Sequence, residues 1–169
     1  SRLDRSQQLM LAQLHRAYED SLIMLANAIE LRDKYTRGHV ERVMRMTLLI
    51  AQQLGWGGAQ TRLLRYGTIL HDIGKIYVPA EILSKPGRIN EIEYSLIKTH
   101  SQMGFDILKT VSFDWPIALM VLQHHERING SGYPSGLSGN NILLEAKILA
   151  VADVVEAIAS NRPYRPALG

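Results

Sequence analysis

The segment TRLLRYGTILHDIGKIYV, residues 61–78, decides how this chain folds. Its apolar and small residues recur at helical spacing and fall close to one side of a helix. The residues on that side are Leu63, Leu64, Gly67, Leu70 and His71. The segment therefore predicts a helix whose apolar side carries a histidine, and Asp72 follows that histidine directly.

The same helical spacing recurs on both sides of this segment. No internal repeat is found, and no stretch shows the apolar-polar alternation of a strand. The sequence predicts an all-α helical bundle, in which inward-facing side chains from different helices can converge on one point. The other helical segments are residues 1–30, 39–55, 90–110, 115–126 and 144–160.

Several helix ends can be predicted from capping residues. Asp33 or Thr36 is expected to cap the helix over 39–55. Asn90 is expected to cap the helix that follows it, which has two glutamates in its first turn. The stretch VPAEILSKPGRIN, residues 78–90, is predicted to be a loop because it holds two prolines and a Pro-Gly turn.

The first thirty residues are predicted to form one long helix with a single apolar stripe. Residues 1–20 are polar with scattered Leu and Met, so we expect a linker helix there and a domain over 21–169. The spacing of the stripe also fits a short coiled coil, which would make this helix a homodimer contact. The stripe consists of Leu14, Tyr18, Leu22, Leu25 and Ile29.

The composition excludes several classes of protein. The 169 residues include no cysteine, which rules out disulfides and thiolate metal sites. No apolar run approaches the roughly 20 residues that span a bilayer, so no membrane contact is expected. A net charge of +3 is compatible with an anionic ligand but does not indicate DNA binding. At 7% aromatic residues, a base-stacking surface for single strands is disfavoured.

Asp153 lies inside LAVADVVEAIA, an almost wholly apolar helix. A carboxylate in the middle of such a helix cannot cap it, and burying its charge alone is costly, so a metal or an arginine is expected as its partner. A single histidine is usually an ordinary residue, but five accompany this aspartate. The five are His39, His71, His100, His124 and His125.

Histidine and carboxylate ligands without cysteine suit Fe, Mn, Zn or Co. Seven such residues exceed the capacity of one tetrahedral site, so they suggest two metals with Asp72 as a bridging carboxylate. Two adjacent metals can convert a bridging water into hydroxide and clamp a phosphoryl group during in-line displacement. A structural role for all of these histidines is the competing interpretation.

The motifs GH, HDIGK, KTH, HHE and VADVVEA, taken together, resemble the HD superfamily of metal-dependent phosphohydrolases. The stretch HHERINGSGYPSGL, residues 124–137, is similar to the signature of its HD-GYP subfamily, whose Gly-Tyr-Pro stands here at 132–134. The resemblance implies an all-α domain with two or three metals, usually iron or manganese. It also implies phosphodiesterase activity on cyclic dinucleotides, above all cyclic di-GMP, in the bacterial cytoplasm, behind an upstream sensor or receiver domain.

The resemblance also implies roles for particular residues. One metal would be held by His39, His71, Asp72 and Asp153, and the second by Asp72, His100, His124 and His125. Hydroxide bridging the metals at Asp72 would attack phosphorus while Lys75, placed one turn after His71, neutralises phosphate charge. Substrate contacts are expected from Lys75, Tyr133, Arg162 and Arg165, the two arginines forming a clamp on the second phosphate.

Two departures from the family pattern bear on these expectations. Some members place a glutamate one helical turn before the first histidine to support a third metal, and Tyr35 stands there instead, so two divalent ions are expected. Fe or Mn is favoured, and Zn, Ni, Co or Mg is also compatible. The resemblance runs out at YRPALG, where family members usually continue, so a fragment of a longer protein is expected.

Two alternatives to a cyclic di-GMP phosphodiesterase stay open. One is a module that has lost catalysis and serves as a cyclic-dinucleotide sensor or interaction surface. The other is a phosphodiesterase for cyclic GMP-AMP, since no residue distinguishes guanine from adenine. The expected product is linear pGpG, GMP or both.

Overall fold

A computed structural model describes residues 2–33, 35–113 and 115–160. Over these residues the chain is helical and has no strand beyond one isolated bridge between Asn129 and Ser138, which confirms the all-α prediction. The α-helices are α1 (Arg2–Glu30), α2 (His39–Gln53), α3 (Gly58–Leu70), α4 (Ala80–Leu83), α5 (Glu91–Leu108), α6 (Ile117–Gln123) and α7 (Leu144–Ala159). Two 3₁₀ turns cover Ile73–Tyr77 and Gly139–Asn141. No helix in the described ranges has the length and apolarity needed to cross a membrane.

The long first helix forms as predicted, but only its second half packs on the body. Ala26 and Ile29 are buried in a core cluster with Ile69 and Leu70 of α3. Leu14, which was expected in the stripe, is 64% exposed. The first half of α1 is therefore held by its own backbone bonds rather than by the core.

The end of α1 contacts two other segments. The Glu30 carboxylate accepts hydrogen bonds from the backbone N–H groups of Gly38 (2.9 Å) and Val40 (2.7 Å) at the start of α2. The Arg32 guanidinium donates to the backbone carbonyls of Ile76 (2.6 Å) and Val78 (3.1 Å). The residues just after α1 thus fix the position of α2 and of the 3₁₀ turn.

The predicted cap of α2 is wrong. The N-cap residue is Gly38, which has no side chain that could cap the helix. The Glu30 carboxylate takes this role, since it accepts hydrogen bonds from the N–H groups of Gly38 and Val40. The prediction for α5 is confirmed: Asn90 accepts from the N–H of Glu93, and the Glu93 side chain accepts from the N–H of Asn90. The stretch 78–90 is not wholly loop, since α4 lies within it.

The helix expected over 61–78 ends early, at Leu70, and a 3₁₀ turn follows Asp72. Lys75 is therefore not one α-helical turn from His71, as the sequence suggested. Tertiary contact explains the change, because Gly74 lies directly against α5. A Cβ atom at Gly74 would lie 1.8 Å from the carbonyl oxygen of His100. The missing side chain lets the His71-Asp72 segment approach the helix that carries His100.

The remaining helices pack so that the histidines face one another. α2 lies against α3 and α7, while α5 lies against α6 and the 3₁₀ turn. A second core cluster joins Val43 of α2 and Leu64 of α3 to Ala146 and Leu149 of α7. This packing brings the start of α2, the ends of α3 and α6, and the middles of α5 and α7 to one place.

Candidate metal centre

The seven residues predicted as metal ligands lie together in two adjacent groups, with Asp72 between them. The Nε2 atom of His39 lies 3.4 Å from that of His71, and Asp153 Oδ1 lies 3.2 Å from His39 Nε2. In the other group, His100 Nε2 lies 3.3 Å from His124 Nε2 and 3.1 Å from His125 Nε2. We call the group of His39, His71 and Asp153 the first half-site, and that of His100, His124 and His125 the second half-site.

Asp72 lies between the two half-sites. Its Oδ2 atom is 3.5 Å from His71 Nε2 and 3.9 Å from His39 Nε2, whereas Oδ1 is 3.5 Å from His100 Nε2. Burial acts to raise the pKa of Asp72, but the charges of Lys75 and of the surrounding imidazoles outweigh it and hold that pKa well below its usual range. The group is a carboxylate with one oxygen toward each half-site, which is the geometry that a bridging ligand needs.

Three of the imidazoles are oriented in the same way by the backbone. Each donates its Nδ1 hydrogen to the carbonyl three residues earlier, at 2.6 Å, which leaves the Nε2 lone pair facing the centre. Such bonds fix the tautomer and the ring direction of a metal-binding histidine. The pairs are His71 with Thr68, His100 with Ile97, and His124 with Val121.

His39 is oriented by a carboxylate instead. Its Nδ1 atom lies 2.6 Å from Oε2 of Glu156, a buried residue of α7. The other Glu156 oxygen accepts from Arg42 Nη2 at 2.7 Å and from the Ser160 hydroxyl at 2.6 Å. Burial acts to lower the pKa of His39, but the bonds to Asp153 and Glu156 prevail and raise it to about 9.

Asp153 has the partner that its burial demanded. In the structure this partner is His39, rather than the arginine weighed from the sequence. Burial acts to raise the pKa of Asp153, yet the hydrogen bond with His39 and the charge of His71 lower it strongly. The carboxylate of Asp153 and the imidazoles of His39 and His71 thus make the first half-site polar and charged.

The second half-site contains neutral imidazoles. Burial lowers the pKa of His124 to about 3, and the neighbouring His71 and His100 act in the same direction. Burial likewise lowers the pKa of His100 and of His125. Neutral imidazole is the form that binds a metal, so this half-site has no proton to release near neutral pH.

Lys75 faces the centre although it lies on the 3₁₀ turn. Its Nζ atom is 2.8 Å from Asp72 Oδ2 and 3.5 Å from Asp33 Oδ2. Burial acts to lower the pKa of Lys75, but the charges of Asp72 and Asp33 outweigh it and raise that pKa. A permanent cation therefore stands beside the carboxylate that joins the half-sites.

The Gly-Tyr-Pro loop folds back on the second half-site. The Tyr133 ring stacks on the His125 ring with centroids 4.7 Å apart and an interplanar angle of 24°. The buried Glu126 accepts backbone hydrogen bonds from Ser135 (2.8 Å) and Leu137 (2.9 Å). Substrate contact by Tyr133 stays a prediction. Arg162 and Arg165 lie outside the described residues, so their predicted role also stays a prediction.

Sequence reasoning missed Glu156, Arg42 and Glu126. Glu156 had a usable signal: it stands three residues after Asp153 in the same apolar helix, so the argument that demanded a partner for Asp153 applied to it as well. Glu126 directly follows the histidine pair, but no sequence pattern around it indicates that its carboxylate binds the backbone of the loop. Arg42 lies in a helix with a second arginine, Arg45, and had no distinguishing feature.

The donor set fits a pair of metal ions. Each of two groups of three residues, His39-His71-Asp72 and His100-His124-His125, has its ligand atoms within 4.8 Å of one another. Two nitrogens that each lie about 2.1 Å from one tetrahedral ion are about 3.4 Å apart. The Nε2 separations of 3.1 to 3.4 Å within each half-site match that value.

Comparisons with known proteins agree with this chemistry. A family model described as HD domain matches residues 23–169. The chain is 42% identical over 166 residues to the cyclic di-GMP phosphodiesterase response regulator RpfG of Xanthomonas campestris, covering 95% of this chain and 44% of that protein. It is 37% identical over 162 residues to the 3'3'-cGAMP-specific phosphodiesterase 3 of Vibrio cholerae, covering 93% of this chain and 35% of that protein.

Among solved structures, the fold is similar to that of Bd1817, an HD-GYP-type protein of Bdellovibrio bacteriovorus. The TM-score is 0.65 at 26% identity, with 75% of this chain and 42% of that chain covered. The chain spans less than half the length of the two curated relatives.

Proposed function

Because this chain belongs to the HD domain family and carries the Gly-Tyr-Pro signature of its HD-GYP subfamily, we propose that it is a metal-dependent phosphodiesterase of cyclic dinucleotides. The observation that carries this proposal is the pair of histidine half-sites joined by the Asp72 carboxylate. Such a pair of sites suits the in-line hydrolysis of a phosphodiester.

The proposed cofactor is two divalent ions. His39, His71, Asp72 and Asp153 would hold the first ion, and Asp72, His100, His124 and His125 the second. When bound, the ions supply an activated water and neutralise phosphate charge. Iron or manganese is proposed, and Zn, Ni, Co or Mg also suits histidine and carboxylate ligands.

The surroundings of the centre favour two ions over three. The carboxylate of Glu30 is engaged by two backbone N–H groups of α2. Asp33 accepts from the backbone N–H of Tyr35 and lies 3.5 Å from Lys75 Nζ. Neither acid is a ready ligand for a further ion, and Tyr35 occupies the position where a third-metal glutamate would stand.

Lys75 is proposed to act on the substrate phosphate. Its ammonium group lies beside Asp72, so a phosphate bound across the half-sites would have an oxygen near it. A fixed cation at that point stabilises the negative charge that grows on the phosphoryl oxygens as the nucleophile adds and the 3′ oxygen leaves. Asp72 is proposed to contribute to the same step as a bridging ligand. With one carboxylate oxygen toward each half-site, it would keep the two ions at a fixed separation.

Cyclic di-GMP is the proposed substrate, and linear pGpG, GMP or both are the products. The name of the relative at 42% identity, a cyclic di-GMP phosphodiesterase, favours this choice. Cyclic GMP-AMP is the second candidate, since a relative at 37% identity is named as specific for 3'3'-cGAMP. Tyr133, Arg162 and Arg165 are proposed substrate contacts.

Regulation is proposed to enter through α1. RpfG is named a response regulator, and the chain spans 44% of its length, so we propose an attached sensor or receiver domain. The exposed apolar side chains of the first half of α1, such as Met10 and Leu14, are proposed as a homodimer contact. Replacing Leu14 by Glu should then convert a dimer to a monomer in light scattering.

The deciding experiment is anaerobic purification, elemental analysis and a product assay on cyclic di-GMP, 3'3'-cGAMP and cyclic di-AMP. Two ions per chain and steady turnover of cyclic di-GMP are expected, with turnover lost in His71→Ala and Asp72→Ala. Tight binding of a cyclic dinucleotide without turnover by the two-metal protein would instead indicate a sensor. Three ions per chain at full activity would contradict the proposed stoichiometry.

A further inference from the structure

His125 differs from the other site histidines in what orients its ring. The Nδ1 atoms of His39, His71, His100 and His124 are each hydrogen-bonded at 2.6 Å. Within the described part of the chain, no hydrogen bond reaches the Nδ1 atom of His125. Its ring direction must therefore be set by packing.

Besides the neighbouring ligand rings of His124 (centroids 4.0 Å apart) and His100 (4.9 Å), the His125 ring packs on the tyrosine of the Gly-Tyr-Pro loop. The Tyr133 ring lies nearly parallel to the His125 ring, 4.7 Å away between centroids. The backbone N–H of Tyr133 also donates to the His125 carbonyl at 3.2 Å. Tyr133 thus contacts both the ring and the main chain of His125, whose Nε2 atom lies 3.1 Å from that of His100.

The loop is built to bring Tyr133 to this position. A Cβ atom on Gly132 would lie 2.4 Å from the backbone N of Arg127 and 2.4 Å from the Cα of Glu126, so only glycine fits. Glu126 is 3% exposed, and its carboxylate accepts hydrogen bonds from the N–H groups of Ser135 and Leu137, which follow the tyrosine. The loop is therefore anchored to the histidine segment on both sides of Tyr133.

We propose that Tyr133 is a positioning residue for His125, held in place by Gly132 and Glu126, and that it sets the affinity of the second half-site for its ion. The inference rests on the proposed metal-dependent function. It assigns the Gly-Tyr-Pro sequence a task inside the metal centre, and it requires the ring of Tyr133 but not its hydroxyl.

The test measures the affinity of each half-site separately, by competition of Co²⁺ or Mn²⁺ with a chelator. Tyr133→Phe keeps the ring, and Tyr133→Leu removes the stack while keeping an apolar side chain. Tyr77→Leu is the matched control, because Tyr77 is 64% exposed. Melting of the metal-free variants shows whether they are folded. Glu126→Gln, which replaces one acceptor oxygen by an amide, is a second variant should Tyr133→Leu fail to fold.

Tyr133→Leu should weaken binding of the second ion by about 10- to 100-fold and leave the first ion within about twofold, as for loss of an orienting contact. Tyr133→Phe and Tyr77→Leu should match the wild-type protein in both affinities. Glu126→Gln should weaken the second ion in the same direction as Tyr133→Leu.

Unchanged affinity of the second ion in Tyr133→Leu overturns the inference while the proposed function stands. A second ion that is weakened in Tyr133→Phe as much as in Tyr133→Leu also overturns it, because the hydroxyl rather than the stacked ring would then be required. A wild-type protein that binds no second ion overturns both the inference and the proposed function.

Discussion

The two half-sites use the same imidazole ligand in opposite electrostatic surroundings. In the first, His39 lies between Asp153 and the buried Glu156, and its pKa is raised to about 9. In the second, burial among other imidazoles lowers the pKa of His124 to about 3. Apart from the shared Asp72, the second half-site has no carboxylate of its own.

The two ions would therefore bind for different physical reasons. An ion entering the first half-site must displace a proton from His39, and two nearby carboxylates favour its charge. An ion entering the second half-site meets imidazoles that are already neutral and gains little from local charge. The second ion should accordingly depend more on ring orientation, and the first on charge and proton concentration.

The largest expected effect comes from removing the group that both half-sites share. Asp72→Asn should lower kcat by roughly 10³-fold or more, since the centre loses its bridging charge and the activated nucleophile with it. Elemental analysis should show loss of both ions. Asp106→Asn, at a partly exposed acid of α5 that pairs with Lys109, is the control. If one ion keeps its wild-type affinity in Asp72→Asn, the half-sites bind their ions independently, and Asp72 is not a bridging ligand.

The pH dependence of ion binding should separate the half-sites. His39 carries a proton below about pH 9 in the metal-free protein, whereas His124 loses its proton near pH 3. Between pH 6 and 8 the affinity for the first ion should therefore rise about tenfold per pH unit, or about 100-fold in total, while the second stays nearly constant. Titration of each ion with a competing chelator across this range measures both slopes. Equal slopes would contradict the assignment of the proton to His39.

The pKa shifts of His39 and His124 also change the free energy of unfolding of the metal-free protein, but in opposite pH ranges. The raised pKa of His39 contributes stability that is complete below its unfolded value of 6.5 and is lost as the pH rises through about 9. The lowered pKa of His124 costs stability as the pH falls from 6.5 toward 3. Thermal melting of the metal-free protein should accordingly decline on both sides of neutral pH.

Glu156→Gln should affect the first half-site alone. The amide keeps the shape but removes the negative charge that orients His39 through its Nδ1 hydrogen. The loss of such a partner should weaken the first ion by about 10- to 100-fold. Competition titration should show the second ion unchanged, in contrast to the effect expected for Tyr133→Leu. A parallel loss of both ions would mean that α7 supports the whole centre.

Arg42→Gln should have the smallest effect. Its guanidinium binds Glu156 Oε1, but its side chain is 45% exposed, so solvent screens the interaction. We expect the first ion to weaken by about two- to fivefold, in line with ~0.5–1 kcal/mol for a partly exposed ion pair. The effect should shrink at high salt, whereas that of Glu156→Gln should persist. An effect as large as that of Glu156→Gln would show that Arg42 sets the position of the carboxylate.

The structure was predicted best where the evidence is a local pattern within one helix. Helical spacing and the Asn90 cap are local patterns, and both were confirmed. The pairing of Asp153 followed from the cost of burying a charge in an apolar helix, although the identity of its partner did not. That partner is His39, which lies 114 positions away in the sequence and reaches α7 only through tertiary packing.

What the sequence did not predict depends on contacts between distant segments. The end of α3 at Leu70 follows from the contact of Gly74 with the carbonyl of His100, which no local pattern encodes. The cap of α2 comes from Glu30, eight residues before Gly38, rather than from the nearer Asp33 or Thr36. The roles of Glu156 and Glu126 likewise require a partner that only the folded chain supplies.

The contacts at the end of α1 link the N-terminal helix to the centre as a matter of equilibrium. Glu30 binds the start of the helix that carries His39, and Asp33 lies beside Lys75, which binds Asp72. A partner that binds the exposed first half of this helix, roughly 20 Å long at about 1.5 Å per residue, and favours one position of the helix end changes the ion affinity by some factor. Ion binding must then change the affinity for that partner by the same factor. The change in ion affinity and the change in partner affinity would then both measure the same coupling free energy.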